Sequence, residues 1–250
     1  MTFARRNHGA GHSYTLDGEK IPGVTTILNA MAKPALVDWA ARTVAEAAVD
    51  DWDRWSKLAP SKRFQELSRA HRSSNKAAAA RGTRIHALAD KLQHEADVEV
   101  PDDLRGPVEA VARWLDLWQA ETVWSETPVA HTAYRYGGTF DAVLDTPKLG
   151  RVLLDFKTGK GVFPETALQL AAYRYADVAL VDGEEVDMLE VDRCVVAHVT
   201  SDDVETLPVD ASEDTWRTFL YLAQVHRWTS VQGDRKTQDA IGQAVWPETA

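Results

Sequence analysis

The segment of this chain best suited to do chemistry is a short β-forming stretch that carries a carboxylate and an ammonium group two positions apart. It reads RVLLDFK and places Asp155 and Lys157 on either side of Phe156. Because side chains alternate along a strand, Asp155 and Lys157 share one face of the sheet, and Phe156 points into the core on the other. The preceding strand carries Asp141, and neighbouring strands bring such residues within a few ångströms. The spacing therefore predicts two carboxylates and one ammonium group in one small site.

Two clustered carboxylates repel each other unless a cation lies between them. Oxygen ligands of this kind suit Mg²⁺ or Mn²⁺, which take further ligands from water and substrate phosphate. A metal there would acidify a water molecule that Lys157 orients or helps to deprotonate, so we expect phosphodiester hydrolysis. The alternative is an exposed ion pair of Asp155 and Lys157 at a strand end, since a bare D-x-K triplet is common.

A sheet and its flanking helices must position these residues. From Val123 the apolar pattern has period two and is rich in β-branched and aromatic residues, which is typical of strands. Gly137-Gly138 suits a tight hairpin turn, and residues 147–150 form a second turn before RVLLDFK. The remaining predicted elements are a helix over about 165–180, a strand at RCVVAHVT and a helix over about 213–228.

The first 107 residues have a different pattern. Asp17-Gly18 predicts a short hairpin and Pro22-Gly23 a turn into a helix. Residues 36–92 are rich in Ala and in helix-forming charged residues and predict several helices, with an interruption near Pro60 and a weaker helical pattern at Gly82. Residues 108–122 have apolar residues at helical spacing. The order predicts an α/β protein with an amino-terminal helical lobe. The expected division is a hairpin and basic lobe over 1–107, an α/β core over 108–228 and a tail over 229–250, forming one compact unit.

The net charge of −10 argues at first against a nucleic-acid partner. The charge is uneven, however: residues 54–84 carry nine basic side chains and one acidic side chain. This segment is a candidate phosphate-binding surface, although a solvated helix face would have the same composition. Its basic residues are Arg54, Lys57, Lys62, Arg63, Arg69, Arg72, Lys76, Arg81 and Arg84.

Composition excludes other classes of protein. The single cysteine, Cys194, allows neither an internal disulfide framework nor the four thiolates of a typical iron–sulfur cluster. No apolar run approaches the length of a membrane span, and the first residues have no hydrophobic stretch, so a cytoplasmic protein without a membrane partner is expected. No glycine-rich phosphate loop or Ser-His-Asp arrangement stands out.

Four successive motifs strengthen the case for a nuclease centre. They are RGTRIHALAD with His86, GGTFDAVLD with Asp141, LLDFKTGK with Asp155 and Lys157, and QLAAY with Gln169 and Tyr173. In order, spacing and flanking hydrophobic residues, residues 81–175 resemble the RecB-like, lambda-exonuclease-like branch of the PD-(D/E)XK nucleases. The resemblance implies a restriction-endonuclease-like core, a mixed sheet flanked by helices. The chain departs from this pattern in having Phe140 rather than proline before Asp141.

The resemblance also implies roles for individual residues. His86, Asp141, Asp155 and the backbone carbonyl of Phe156 would hold Mg²⁺ or Mn²⁺, and Gln169 and Tyr173 would contact Lys157 or the scissile strand. His86 could instead be packed on an Ala-rich helix, and Gln169 and Tyr173 could be a core-edge pair. Glu126 is a possible outer carboxylate. The candidate DNA-binding residues are Arg81, Arg84, Arg72, Lys76, Arg63 and Lys62.

The expected activity is that of a metal-dependent deoxyribonuclease, an exonuclease acting on DNA ends in phage recombination or replication. Relatives of that kind work beside a protein that anneals or binds single strands, and they act in the cytoplasm of a prokaryotic host. Two alternatives remain: a structure-specific endonuclease, and a non-catalytic DNA-binding scaffold that keeps the fold. Four-cysteine subgroups with an iron–sulfur cluster are disfavoured because the chain has one cysteine.

Overall fold

A three-stranded antiparallel sheet opens the chain, whose computed structural model describes residues 2–9, 11–94 and 98–234, without the side chains of residues 73–78 and 231–234. Its strands are β1 (Phe3–His8), β2 (Gly11–Leu16) and β3 (Glu19–Ile21). The predicted hairpin turn is confirmed: Asp17 and Gly18 join β2 to β3 with φ of 53° and 79°, the positive values that a two-residue turn needs. Strand β1 was not predicted, and it pairs along the whole of β2.

Five helices follow in the segment for which a helical lobe was predicted. They are α1 (Val24–Leu28), α2 (Pro34–Asp50), α3 (Trp52–Ser56), α4 (Pro60–Leu67) and α5 (Ala70–Gln93). Pro34 and Pro60 each lie in a first helical turn, where a missing N–H costs little. Helix α5 continues straight through Gly82, where a Cβ atom would lie 2.9 Å from Thr158 Oγ1. Gly82 therefore lets α5 approach the loop that follows the RVLLDFK strand.

A sixth helix leads into the main sheet. One turn of 3₁₀ helix (Asp102–Leu104) runs directly into α6 (Arg105–Trp118). Helix α6 begins before the predicted start at residue 108, and Pro107 lies in its first turn, which tolerates proline. The helix ends at Gln119, whose φ of 48° turns the chain into the first strand of the sheet.

A seven-stranded mixed sheet forms the centre of the α/β fold. Its strands are β4 (Glu121–His131), β5 (Tyr136–Thr146), β6 (Gly150–Lys157), β7 (Val178–Val181), β8 (Glu184–Asp187), β9 (Arg193–Val199) and β10 (Val204–Val209). Their order is β10-β9-β6-β5-β4-β7-β8, and only the central β6–β9 pair is parallel. The strand that carries Asp155 and Lys157 is therefore paired on both sides.

Two further helices differ in length from the prediction. Helix α7 (Glu165–Arg174) connects β6 to β7, and α8 (Glu213–Asp234) follows β10. The prediction of helix up to residue 180 was wrong, because residues 178–181 pair with β4 and β8 as strand β7. Helix α8 extends past the predicted end at Trp228, and residues 235–250 of the predicted tail lie outside the described part of the chain.

The predicted hairpin turn at Gly137-Gly138 was also wrong. The turn spans residues 132–135, and both glycines lie inside β5. A Cβ atom on Gly137 would lie 3.0 Å from Tyr14 Cγ, and one on Gly138 would collide with the Tyr173 ring. Because the two glycines have no side chain, two aromatic rings can pack directly on the strand. This packing explains why glycine occupies these positions although they do not form a turn.

Helices cover both faces of the main sheet. Helices α5 and α6 pack on one face, where Phe156 is 2% exposed beside Trp114. Helices α1, α7 and α8 pack on the other, where Leu153 and Leu170 lie in the core. The predicted inward orientation of Phe156 is thus confirmed, and Asp155 lies on the α7 side. Across the described ranges, no helix combines the length and the apolar character needed to cross a membrane.

Candidate active site

A hydrogen-bonded network joins the end of β6 to helix α7. Lys157 Nζ lies 2.6 Å from Asp155 Oδ2 and donates to Gln169 Oε1 at 3.2 Å. Gln169 Nε2 donates to Asp155 Oδ1 at 3.1 Å and contacts the Tyr173 hydroxyl oxygen at 3.3 Å. The i, i+4 spacing of Gln169 and Tyr173 places both on the helix face turned toward β6. The structure thus brings together four of the predicted residues.

Asp155 is an unusually buried carboxylate, with 3% of its surface exposed. Burial, reinforced by the negative charge of Asp141, raises its pKa to about 6, although Lys157 acts in the opposite direction. The Lys157 ammonium forms an ion pair with Oδ2, and no other donor satisfies this buried oxygen within the described ranges. A buried anion with an unused acceptor is costly unless another cation or donor binds there.

Asp141 links the sheet to helix α5. Its Oδ2 accepts a hydrogen bond of 2.7 Å from the backbone N–H of Phe156 and lies 3.4 Å from His86 Nδ1. Burial lowers the pKa of His86, but the hydrogen bond and charge of Asp141 outweigh it and raise that pKa above its usual value. His86 therefore faces the carboxylates from the helix opposite α7.

Glu126 faces Asp141 from the neighbouring strand. The pairs Ser125–Ala142 and Thr127–Phe140 flank the two residues, so their register sets Glu126 opposite Asp141. Glu126 has a φ of 44°, a left-handed conformation that costs a non-glycine residue about 1–2 kcal/mol. Burial of its carboxylate, followed by the charges of Asp141 and Asp90, raises the pKa of Glu126. Strain of this kind is often found at functional sites.

The donor set fits a hard divalent cation. In the described ranges, no three His, Cys, Asp or Glu side chains already form a complete metal-binding group. In this arrangement the Lys157 ammonium is the counterion of Asp155. Even so, the neighbouring carboxylates of Asp155 and Asp141, a carboxylate oxygen without a hydrogen bond and a nearby imidazole together suit Mg²⁺ or Mn²⁺.

Two of the predicted basic residues are bound to other parts of the chain. Arg84 pairs with Asp103 through two contacts of 3.0 and 3.3 Å. Arg63 donates to the carbonyls of Trp55, Ser56 and Leu58 and so closes the turn between α3 and α4. Arg81, Arg72 and Lys62 are exposed on the lobe, and the side chain of Lys76 lies outside the described part of the chain.

Sequence reasoning missed three residues near the site. Asp90 lies four residues after His86 on α5, a spacing that could have revealed it. Tyr14 donates to or accepts from Thr139 Oγ1 at 2.9 Å, two residues before Asp141 on β5. Arg5 lies across the small sheet from Tyr14. No sequence signal marks Tyr14 or Arg5, because a tertiary contact between two sheets places them there.

A cavity of about 230 Å³ adjoins Lys157 and Gln169. Helix α1 and the loop between β6 and α7 form its walls, and Phe163 projects from that loop with 60% of its surface exposed. Lys33 also lines the cavity and pairs with Glu165 at 3.1 Å. The cavity offers an aromatic face, amide and hydroxyl groups and a cation beside the carboxylates. Its polar lining residues include Thr25, Asn29, Lys33, Glu165, Thr166 and Gln169.

Comparison with known proteins gives little further information. No protein-family model matches the chain, and no curated protein matches it. Among solved structures, the chain is similar to the crystal structure of SSO0001, with 14% sequence identity and a TM-score of 0.29. That similarity covers 59% of this chain and 85% of the other. The chemistry of the site is therefore inferred from the geometry of the site alone.

Proposed function

We propose that this chain is a metal-dependent deoxyribonuclease with a PD-(D/E)XK core, acting as an exonuclease on DNA ends. The observation that carries the proposal is the buried Asp155, held by Lys157 and Gln169 and close enough to Asp141 for the two charges to interact. A merely structural ion pair at a strand end would be exposed and would not need the second carboxylate. Support for the core comes from the β4-β5-β6 meander, followed by α7 and the parallel strand β9.

Each residue has a distinct role in this proposal. Asp141 and Asp155 would hold Mg²⁺ or Mn²⁺, with His86 and the Phe156 carbonyl as further ligands. The bound ion would supply acidification of water and stabilisation of negative charge on phosphate oxygens. The Lys157 ammonium orients the attacking water and stabilises the developing negative charge.

Two residues of α7 keep this arrangement in place. Gln169 contacts both Lys157 and Asp155 and so fixes the distance between ammonium and carboxylate. The buried hydroxyl of Tyr173, whose pKa burial raises well above its usual value, remains neutral and holds Gln169. Preorganised groups of this kind lower the barrier without having to move during the reaction.

Glu126 is an outer carboxylate in this proposal. Its position opposite Asp141 lets it accept a hydrogen bond from water near the first carboxylate. We further propose cytoplasmic DNA as the substrate and a single-strand annealing or binding protein as the partner, in a phage-type recombination or replication reaction.

The test uses the purified chain with a linear duplex labelled separately at each 5′ end and with a covalently closed circle. Mg²⁺, Mn²⁺ or a chelator is added, and Asp155→Asn and Lys157→Ala are assayed in parallel. Loss of the linear substrate alone, dependent on metal and on both residues, would support the exonuclease. Cleavage of the closed circle would point to an endonuclease, and binding without cleavage would point to a scaffold.

A further inference from the structure

The small amino-terminal sheet is attached to the catalytic end of β5. Phe3, Tyr14, Leu16 and Ile21 form a buried cluster that includes Ala130 of β4. The Tyr14 hydroxyl contacts Thr139, and the backbone N–H of Gly137 donates to the Pro22 carbonyl at 3.0 Å. The inner face of the small sheet therefore lies beside the strand that carries Asp141.

Arg5 belongs to this inner face. It is paired directly with Tyr14, and side chains of directly opposed residues lie on the same side of a sheet. Arg6, the next residue, pairs with Ser13 and is exposed on the other side. Arg5 is partly buried, and its positive charge opposes the rise that burial causes in the pKa of Tyr14 and of Glu126.

The guanidinium of Arg5 lacks the partners that a buried cation normally has. Its Nε atom is buried and makes no hydrogen bond, and within the described ranges Arg5 has no carboxylate within 4.0 Å. Such a group costs free energy unless a ligand satisfies it. The planar guanidinium can donate hydrogen bonds to two oxygens of one phosphate. The neighbouring carboxylates are negatively charged and cannot bind a phosphate.

We propose that Arg5 binds a backbone phosphate of DNA next to the scissile one, so that the small sheet forms one wall of the substrate groove. This inference rests on the proposed nuclease function. It assigns substrate binding to the inner face of β1, away from the basic helical lobe. Lys157 and Arg5 then contact the DNA strand from the end of β6 and from the small sheet respectively.

The experiment compares Arg5→Gln with the matched control Arg6→Gln. Both are made in the Asp155→Asn background, so that binding of a labelled duplex with a frayed end can be measured by fluorescence anisotropy in Mg²⁺ across a range of KCl concentrations. Arg5→Gln should weaken binding about tenfold and reduce the slope of log K against log salt concentration by about 0.7–0.9. Arg6→Gln should change affinity less than twofold.

Two further measurements separate phosphate binding from a structural role. In the otherwise wild-type chain, Arg5→Gln should raise KM for the linear substrate and leave kcat nearly unchanged, while thermal unfolding verifies that the variant folds. Arg5→Gln is also tested together with Glu126→Gln, because a residue that only balances the charge of Glu126 would lose its effect there. Persistence of the tenfold loss in that background supports the phosphate contact, and its disappearance overturns the proposal.

The outcomes also separate this inference from the proposed function. If the wild-type chain cleaves DNA and the variants at Arg5 and Arg6 behave alike, the inference is wrong and the nuclease function stands. If the wild-type chain neither cleaves nor binds DNA in Mg²⁺ or Mn²⁺, the proposed function fails and the inference fails with it.

Discussion

At the scale of one residue, Asp155 shows how the geometry of a candidate site conflicts with stability. Asp155 is 3% exposed and has a pKa of about 6, so the chain folds less favourably when this carboxyl group is ionised than when it is protonated. Its folded pKa is raised, so its contribution favours folding below the ordinary pKa near 4 and is lost as pH rises through about 6. Retention of such a residue suggests a use other than stability.

The first prediction follows from this pH dependence of stability. Asp155→Asn should raise the free energy of unfolding in chelator at pH 8, by on the order of 2 kcal/mol, because the amide carries no buried charge. The gain should shrink as pH falls through about 6, and thermal unfolding from pH 8 to pH 5 measures it. The control is Asp145→Asn, where hydrogen bonds from Arg151 lower the pKa of Asp145, so no gain is expected at pH 8. An equal gain for Asp155→Asn at pH 5 and pH 8 would contradict the argument.

The second prediction concerns Gln169. Gln169→Ala removes the contacts to both Lys157 and Asp155, so kcat for the linear substrate should fall about 10–100-fold, as expected when a positioning group is lost. The melting temperature should change little, because the side chain is only partly buried. Gln93→Ala is the matched control, since within the described ranges the side chain of Gln93 donates to the Ala89 carbonyl on its own helix. Equal kcat in the two variants would remove Gln169 from the site.

At the scale of elements, the position of α7 against β5 depends on one missing side chain. Gly138 lies within the strand, and its lack of a Cβ atom lets the Tyr173 ring lie directly on the backbone. The ring in turn positions Gln169 through its hydroxyl. The distance between α7 and the sheet is therefore set at Gly138.

The third prediction tests that contact. Gly138→Ala should lower the free energy of unfolding by about 1–3 kcal/mol, as overpacking does, and should also lower kcat because Tyr173 and Gln169 are displaced. Gly11→Ala serves as the control, since a Cβ atom there meets nothing closer than 3.9 Å. Urea unfolding together with the nuclease assay measures both effects. A Gly138→Ala chain as stable as Gly11→Ala would show that the ring can move aside without cost.

The same elements show how far sequence reasoning reaches. The alternation in RVLLDFK was enough to place Asp155 and Lys157 together and Phe156 in the core, because strand geometry fixes those directions locally. Strands β7 and β8 were missed because each has only four residues. Strand β8 is also largely acidic, so its pairing with β7 rather than its propensity creates it.

Tertiary contacts set the remaining limits. Gly137-Gly138 is a common turn pair, and only the rings of Tyr14 and Tyr173 explain its place inside a strand. Arg5 lies far from the motifs in sequence and reaches the site only because the small sheet packs on β4 and β5. The spacing of the motifs predicted the residues on β5, β6 and α7 but not the small sheet that lies beside them.

At the scale of the whole molecule, the helical lobe is less firmly packed than the sheet. Helix α2 contributes no buried residue, and Leu36, Val37, Trp52 and Phe64 of the lobe are each at least half exposed. Regions with few buried apolar contacts open at a lower free-energy cost than a core.

The fourth prediction is a difference in hydrogen exchange. Amide protons of α2 and α4 should exchange through local opening, with free energies several kcal/mol below those of β5, β6 and β9. If DNA contacts the lobe, an oligonucleotide bound to Asp155→Asn should slow exchange in α2 and α4. Mass spectrometry of peptides from both regions measures the difference. Equal protection in the lobe and the central strands would show that the lobe is as stable as the sheet.

The order of the strands has a consequence for the behaviour of the molecule at high concentration. The two ends of the main sheet are β8, which carries Glu184, Glu185 and Asp187, and β10, which contains Pro208. Carboxylates repel an incoming strand of the same kind, and proline cannot donate a backbone hydrogen bond to one. The sheet that carries Asp141, Asp155 and Lys157 therefore ends in two strands that resist edge-to-edge aggregation between copies of the chain.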